Sequence, residues 1–421
     1  MNEKTYESTL MNNIKQYENI IVYGARYRGS ILVKSIKSHF PEANIFVAVS
    51  DRGNETLHCA GIPVERLDSY VHIAESALVL IAAQPMFNVE MEATARKLGF
   101  PNVTYVEDKF YDEKTSRHSL AKRLLSGIDP GTLTDLQKKN HRYILSTNDR
   151  GLHAIELLES KGLDFKNANV LDIGCAYGGF SIEAKRRGAS MVYGVDIAEH
   201  NISLARTNLE DEPEYIREGC KLDVCDITSE KALLMPNGYF DIIFITDVFE
   251  HVYDTCKFME HLKRLAAPGC SIYFEIPNGL HFLNFIEEEP HHLVGGLSIL
   301  LPKFWYEKTG YISTYYRRWE YYDALFAYFG FADVRLFNFH SKPDISKENL
   351  TSELLSKIQY FEDSLSKKIS NEPLAYIKAV EDSLQNLKKE LERDINEMDV
   401  DKLVFKYLSP FWQGILKKPP L

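Results

Sequence analysis

Two carboxylates and an imidazole stand within one helical turn in Asp247-Val248-Phe249-Glu250-His251. An imidazole titrates near neutrality, so His251 is suited to take a proton from a hydroxyl, with Glu250 beside it. The same residues admit a second chemistry. Asp247, Glu250 and His251, with one of His291 or His292, form a mixed carboxylate and imidazole set able to ligate a divalent metal. Segment 279–318 adds Tyr315, Tyr316, Arg317 and Arg318 to those histidines. Aromatic rings can stack on a sugar and guanidinium forks can pair with phosphate, so His291, His292, Tyr316 and Arg317 are candidate acceptor-binding residues. The plainer reading is a half-buried loop with an aromatic patch and surface arginines.

Chemistry of this kind needs a partner site, and Val170 to Phe180 (VLDIGCAYGGF) supplies one. An apolar strand ends at Ile173, and Gly174 permits the tight turn that points backbone amides at a ligand ahead of a helix. Asp172, Gly174, Ala176 and Gly178 fit a D-x-G-x-(G/A)-x-G loop. Asp196 follows 24 residues after Asp172, at the end of the run MVYGV, where a carboxylate can accept the ribose hydroxyls of an adenosine. Asp226 can receive the adenine amino group, with Cys225 and Ile227 lining the ring, and Ile197 and Thr246 stand at the neighbouring strand tips. Taken singly, Asp196 and Asp226 also read as helix caps or turn residues.

From about Val170 to Phe337 the sequence resembles the class I S-adenosylmethionine-dependent methyltransferases, through that loop, YFDIIFITDVFEHV and HLKRLAAPGCSIYFEIPN. The resemblance implies that the Gly174 loop lies under the methionine part of S-adenosylmethionine and that Asp172 helps to position it. Ala176 departs from the glycine common there. The acid-x-x-Glu-His spacing with a later histidine is similar to that of small-RNA 2′-O-methyltransferases and ubiquinone-pathway O-methyltransferases, in which a metal holds the acceptor hydroxyls.

The elements around these motifs alternate. Runs NIIVYG, NIFVAVS, ALVLIAA and NVTYVE are separated by helical stretches up to about Asp108, and the alternation restarts at Asn167 with NVLDIG, MVYGVD, CKLDVCDI, YFDIIFIT and SIYFEIPN. This pattern predicts an α/β protein with two Rossmann-like doubly wound sheets. The last elements of the second sheet are expected in the helix around Glu320 to Phe329 and the strand ADVRLFNF. Beyond Pro343 apolar residues recur every three or four positions, which predicts a C-terminal α-helical hairpin or coiled coil that packs on its own domain or on a second subunit. The tail FKYLSPFWQGILKKPPL reads as a packed amphipathic end, or as a segment touching a membrane surface. The expected domains are 1–112, 113–345 with the acceptor segment 279–318 inserted, and 346–421.

The first glycine turn, IVYGARYRGS, is a poor dinucleotide site, because Arg26 replaces the middle glycine of G-x-G-x-x-G, although Asp51 stands at a suitable distance. With VSDRGN, GIPVERLD and KLGFPNVTYVED it resembles small Rossmann-like modules of bacterial surface-polysaccharide proteins. The resemblance implies a nucleotide-linked sugar whose phosphates meet Arg26 and Arg28; a degenerate domain kept for docking or dimerisation is the alternative.

Bulk properties narrow the field. A net charge of −11 over 421 residues argues against nucleic acid as partner. Six cysteines without a CxxC pair point to reduced packing residues. No apolar run is long enough to span a bilayer and MNEKTYESTL lacks a signal-peptide pattern, so a cytoplasmic protein is expected. The sequence therefore predicts an S-adenosylmethionine-dependent O-methyltransferase acting on a sugar, sugar-phosphate or nucleotide-sugar acceptor in capsule or lipopolysaccharide synthesis. A divalent metal and homo-oligomerisation through the C-terminal helices are further expectations. The competing readings are a non-catalytic nucleotide-sugar-binding or scaffold protein and an NAD-dependent oxidoreductase using the first loop.

Overall fold

The computed structural model describes residues 6–25, 27–50, 58–83, 85–107, 110–111, 128, 132–210, 212–282, 286–289, 291–310, 314–331, 333–337 and 345–419. Two compact units emerge, one from residues 1–133 and 137–163, the other from 134–136 and 164–421. Arg26 and Asp51, expected at the first glycine turn, lie outside the described residues.

In the first unit, α1 (Tyr6–Ile14) precedes β1 (Asn19–Tyr23), α2 (Tyr27–His39) and β2 (Asn44–Val49). The short hairpin β3 (His58–Cys59) and β4 (Ile62–Arg66), β5 (Ala77–Ile81), α3 (Pro85–Lys97) and β6 (Val103–Tyr105) complete a six-stranded sheet of order β3-β4-β2-β1-β5-β6. All pairs but β3·β4 are parallel. A central parallel strand is covered on both faces, and β1 shows it: Ile20 and Val22 join one apolar cluster, Ile21 and Tyr23 the other. At the end of β1 the chain turns at Gly24 (φ +123°), where a Cβ would lie 2.7 Å from the Ala82 carbonyl oxygen. Arg28, expected to meet phosphate, instead donates to the Ala83 carbonyl at 2.9 Å and lies over the Tyr111 ring. The long helix α4 (Asp135–Ser160) closes this unit.

The second unit follows the alternation read from the sequence: β7 (Asn169–Ile173), α5 (Gly179–Arg186), β8 (Met191–Asp196), α6 (Glu199–Glu210), α7 (Glu214–Arg217), β9 (Cys220–Val224), β10 (Phe240–Thr246), α8 (Thr255–Leu265) and β11 (Ala266–Pro277). Then come α9 (Pro302–Thr309), α10 (Trp319–Tyr328), β12 (Asp333–Phe337), α11 (Lys347–Lys368), α12 (Leu374–Glu397) and α13 (Val400–Leu403). The tail departs from expectation. Phe411–Lys417 forms β13, which enters the sheet between β11 and β12 and runs antiparallel to both, giving the order β12-β13-β11-β10-β7-β8-β9. The amphipathic tail is thus a central strand, with Trp412 and Leu416 buried in the main core, and residues after 345 do not stand apart as a purely helical region.

Helices α11 and α12 form the expected hairpin. Their stripes (Leu350, Leu354, Ile358, Phe361, Leu365; Val380, Leu384, Leu387, Leu391) share one core with Phe282, Ile286, Leu297 and Trp305 of the inserted segment. The apolar residues that suggested a coiled coil with a second copy are therefore covered within the chain. Among the described residues no helix is long and apolar enough to cross a membrane.

Candidate active site

The sheet reverses its winding between β7 and β10, and ligands of open α/β sheets bind at such a switch point, outside the carboxyl ends of the strands. The two loops leaving those strands meet there. Gly174 turns with φ +73°, and a Cβ on it would lie 2.4 Å from Val248 Cγ2. Ala176 (φ 45°) and Gly178 (φ 79°) keep the loop in left-handed conformations before α5 begins. A non-glycine residue there is strained by ~1 kcal/mol or more, which tight anchoring must offset. The anchor is Asp196: its Oδ2 accepts the Ala176 amide at 3.0 Å, and its Oδ1 accepts the Ala198 amide at 2.8 Å and Asn201 Nδ2 at 3.2 Å.

This places the two acids differently from the sequence reading. Asp196 is buried and holds the glycine loop to β8, with lone-pair capacity left on Oδ2 rather than a free carboxylate for two hydroxyls. Asp226 is exposed and forms a turn, its Oδ1 accepting the amide and hydroxyl of Thr228. Ile197, 75% exposed between them, offers an apolar face at the strand tip, whereas Cys225 and Ile227 are buried in the core. Asp172 stands on β7, just ahead of the loop. It is fully buried, accepts Ser181 Oγ at 2.6 Å, and burial pushes its carboxyl up to about 7 against the lowering effect of that bond. Thr246 ends β10 in register with Glu275 of β11. The cradle fits a nucleoside at the switch point: only glycine is tolerated at 174, and Ile197 presents an apolar surface to solvent.

Beside it the chain after β10 is irregular. Asp247 sits at φ 54°, and a short turn, Phe249–His251, swings Glu250 inward. Glu250 is 1% exposed, and neither of its oxygens has a hydrogen-bond partner among the described residues. Burial, reinforced by the charge of Asp247, raises its pKa well above the usual carboxylate value. His251 Nε2 stands 3.7 Å from Glu250 Oε1. Glu250, His251 and His291 each bring one ligand atom to within 4.8 Å of the other two. Among the described residues this is the set that could grip a cation; Asp247 and His292 are not in it.

What holds His291 is Glu289, which the sequence reading did not single out. Glu289 is fully buried and accepts the His291 amide at 2.9 Å, His291 Nδ1 at 2.6 Å, the His292 amide at 2.8 Å, His292 Nδ1 at 3.3 Å and Tyr316 Oη at 2.7 Å. Burial raises its pKa, but these hydrogen bonds, that from His291 first, outweigh it and hold the carboxyl at about 2. An ionised carboxylate only accepts, so each partner donates, and His291 carries its proton on Nδ1. Nε2 is thereby left as a lone-pair donor. Second-layer carboxylates fix metal-binding histidines in this manner. His292 lies edge-on to Trp305 with ring centroids 5.5 Å apart, and Tyr316 packs on Gly279.

Arg317 does not present its fork to a ligand. Nη1 donates to the Phe249 carbonyl at 3.3 Å, and Nη2 to those of Val252 at 2.8 Å and Tyr253 at 3.1 Å, with Tyr315 and Tyr321 on either side. Its role is to pin the turn that carries Glu250 and His251. Arg318 pairs with Glu390 at 3.2 Å.

Residues 141–336 match the family described as "Methyltransferase domain". A ubiquinone biosynthesis O-methyltransferase of Aromatoleum aromaticum is 30% identical over 156 residues, 36% of this chain and 63% of that protein. Its counterpart in Stutzerimonas stutzeri is 26% identical over 159 residues, 37% of this chain and 66% of that protein. The chain thus spans slightly less than two thirds of the length of these relatives. A solved S-adenosylmethionine-dependent methyltransferase of Archaeoglobus fulgidus superposes with a TM-score of 0.38 at 17% identity, over 68% of this chain and all of that one. With its seven-stranded sheet, antiparallel seventh strand and glycine turn after the first strand, the second unit has the class I methyltransferase fold.

Proposed function

We propose that this chain is an O-methyltransferase that uses S-adenosylmethionine and binds its acceptor hydroxyl at Glu250, His251 and His291. The observation that carries the reading is Glu250, a buried carboxylate with no hydrogen-bond partner among the described residues, beside two imidazoles of which one is oriented by an ionised Glu289. A buried carboxylate in that state is expensive unless a cation or proton completes it. The naming of the relatives above as O-methyltransferases supports the reaction class.

S-adenosylmethionine supplies, when bound, a methyl group on a sulfonium, open to in-line attack. The chain's own residues would do the rest. Gly174, Ala176 and Gly178 shape the cradle, Asp196 holds it and offers Oδ2 to one ribose hydroxyl, Asp226 and Ile197 flank the adenine, and Asp172 braces the loop through Ser181. A divalent cation held by Glu250, His251 and His291 would lower the pKa of an acceptor hydroxyl. With no cation, His251 is the base. The two roles exclude each other, because one Nε2 cannot do both.

Vicinal hydroxyls suit such a cluster, and we favour those of a sugar, sugar phosphate or nucleotide sugar in cytoplasmic polysaccharide synthesis, with the first unit as a nucleotide-sugar module. Its sheet and glycine turn at Gly24 are consistent with that role.

The deciding experiment is calorimetric titration of S-adenosylhomocysteine into wild type and Asp196→Ala, followed by methyl-transfer assays on nucleotide sugars and on catechol, with and without a chelator. Binding that disappears in the variant, and turnover abolished by chelation but restored by a divalent metal, is expected. Absence of binding by wild type would sink the reading. Turnover indifferent to the chelator but lost in His251→Ala would replace the cation with His251 as base.

A further inference from the structure

A cavity of about 400 Å³ opens between the start of α10, β12 and the stretch leading into β13. Its walls are Leu280, Trp319, Leu336, Met398, Phe405 and Trp412. Trp319 meets Phe405 nearly at right angles with centroids 5.3 Å apart, and Trp412 at 5.8 Å, so the rings line the space rather than fill it. Phe405 is carried on the π-helical turn Val404–Leu408, a wide turn of the kind that recurs at functional sites. Met398, Phe405 and Trp412 lie beyond residue 336, where the family match ends.

The rim decides what enters. Its three bases are already matched: Arg318 to Glu390 at 3.2 Å, Lys402 to Asp399 at 3.3 Å and Lys406 to Glu390 at 2.7 Å. Glu320 and Asp401 add two carboxylates. Among the described residues of the rim no surplus cation awaits an anion, and the walls offer dispersion contacts from two indoles, a phenyl ring and a thioether. Pockets of ~300 Å³ or more with such walls hold small organic ligands.

We infer that this cavity binds an uncharged apolar group, a ring or branched hydrocarbon, belonging either to the acceptor or to a separate effector. Placement gives both sources a route to the chemistry. Arg318 follows Arg317, which pins the Glu250 turn, and Leu280 follows Gly279, against which Tyr316 packs. A group seated here leans on the segment that sets the polar cluster. The inference requires neither a metal nor S-adenosylmethionine.

Trp319 and Trp412 are two of the chain's three tryptophans, so emission reports occupancy without any assay of methyl transfer. Full-length protein would be titrated with menthol, as the uncharged probe, and with cyclohexanecarboxylate as its anionic counterpart. Saturable change with menthol in the millimolar range or below is expected, at least tenfold tighter than with the anion. Leu336→Phe and Met398→Phe, which fill the cavity from two different elements, should each weaken menthol at least tenfold while S-adenosylhomocysteine binds as in wild type. In turnover assays, menthol competing with the acceptor would assign the group to the acceptor, and a change in kcat without competition would assign it to an effector. No saturable binding, equal affinity for both probes, or wild-type affinity in both filled variants would overturn the inference. Menthol binding without S-adenosylhomocysteine binding would keep the cavity and remove the methyltransferase reading instead.

Discussion

Glu289 Oε1 and His291 Nδ1 lie 2.6 Å apart, and the carboxylate that makes this bond has no exposed surface. The proton on Nδ1 is therefore fixed, and Nε2 is the atom His291 offers to the cluster. Glu289→Gln keeps the shape but removes the charge and sets an amide N–H against donors. Turnover and metal affinity should fall about 10- to 100-fold. Binding of S-adenosylhomocysteine should not change, and full turnover in this variant would remove Glu289 from the site.

The same carboxylate gives an acid limit. Its folded pKa, about 2, lies below the ordinary value of 4.5, so its stabilising contribution is complete above pH 4.5 and is lost as pH falls toward 2. The shift corresponds to on the order of 3 kcal/mol. Urea midpoints should fall for wild type across that window, and Glu289→Gln should show a flatter profile; parallel profiles would contradict the assignment.

Asp172 has the opposite sign. Burial raises its pKa to about 7, so its contribution is complete below the ordinary value of 3.8 and is lost as pH rises through about 7. Asp172→Asn keeps an acceptor for Ser181 and cannot ionise. Relative to wild type it should gain stability from pH 5 to pH 8, read as denaturant midpoints, and a variant that loses ground over that interval would show Asp172 to be ionised in the fold.

Gly174→Ala should fail on two counts. A φ of +73° costs a side chain ~1–3 kcal/mol, and its Cβ would lie 2.4 Å from Val248 Cγ2. S-adenosylhomocysteine should bind at least about tenfold more weakly. Adding Val248→Ala removes the clash but not the strain, so calorimetry should find partial recovery; wild-type affinity in the single variant would mean that the loop is not the cradle.

Truncation after Ser409 removes β13 and leaves β11 and β12 with unpaired edges and the Trp412 site empty. Such a chain should aggregate or lose its near-ultraviolet signal on expression. A soluble, cooperatively unfolding truncation would show that the sheet closes without it.

Much of the second unit was legible because its strands are locally encoded: β7, β8, β10 and β11 are apolar runs bounded by glycine or acid, and both faces are buried. Residues with long-range duties were not. FWQGILK has no strand signature that outweighs its position after two helices, and only its neighbours β11 and β12 make it a strand. Glu289, in the run EEEPHH, has the composition of a surface turn, and its burial follows from Trp305, Tyr316 and the hairpin core closing over the insert. Arg317 has the residue type for phosphate, yet three main-chain carbonyls take its donors. Residue type names a capacity, and the tertiary surroundings decide its use.

The place of β13 also sets an order of events during synthesis. Ser271 pairs with Lys417 across a gap that includes the insert, α10, β12 and the whole helical hairpin. A nascent chain carrying every residue of the candidate site still lacks the strand that joins β12 to the sheet. Loop closure over so long a separation is slow, and among the described strands β12 has no hydrogen-bonding neighbour until β13 has left the ribosome. The sheet is thus completed only once Phe411–Lys417 has been made, and a chain that stops before it has its candidate chemistry encoded and no finished fold to hold it.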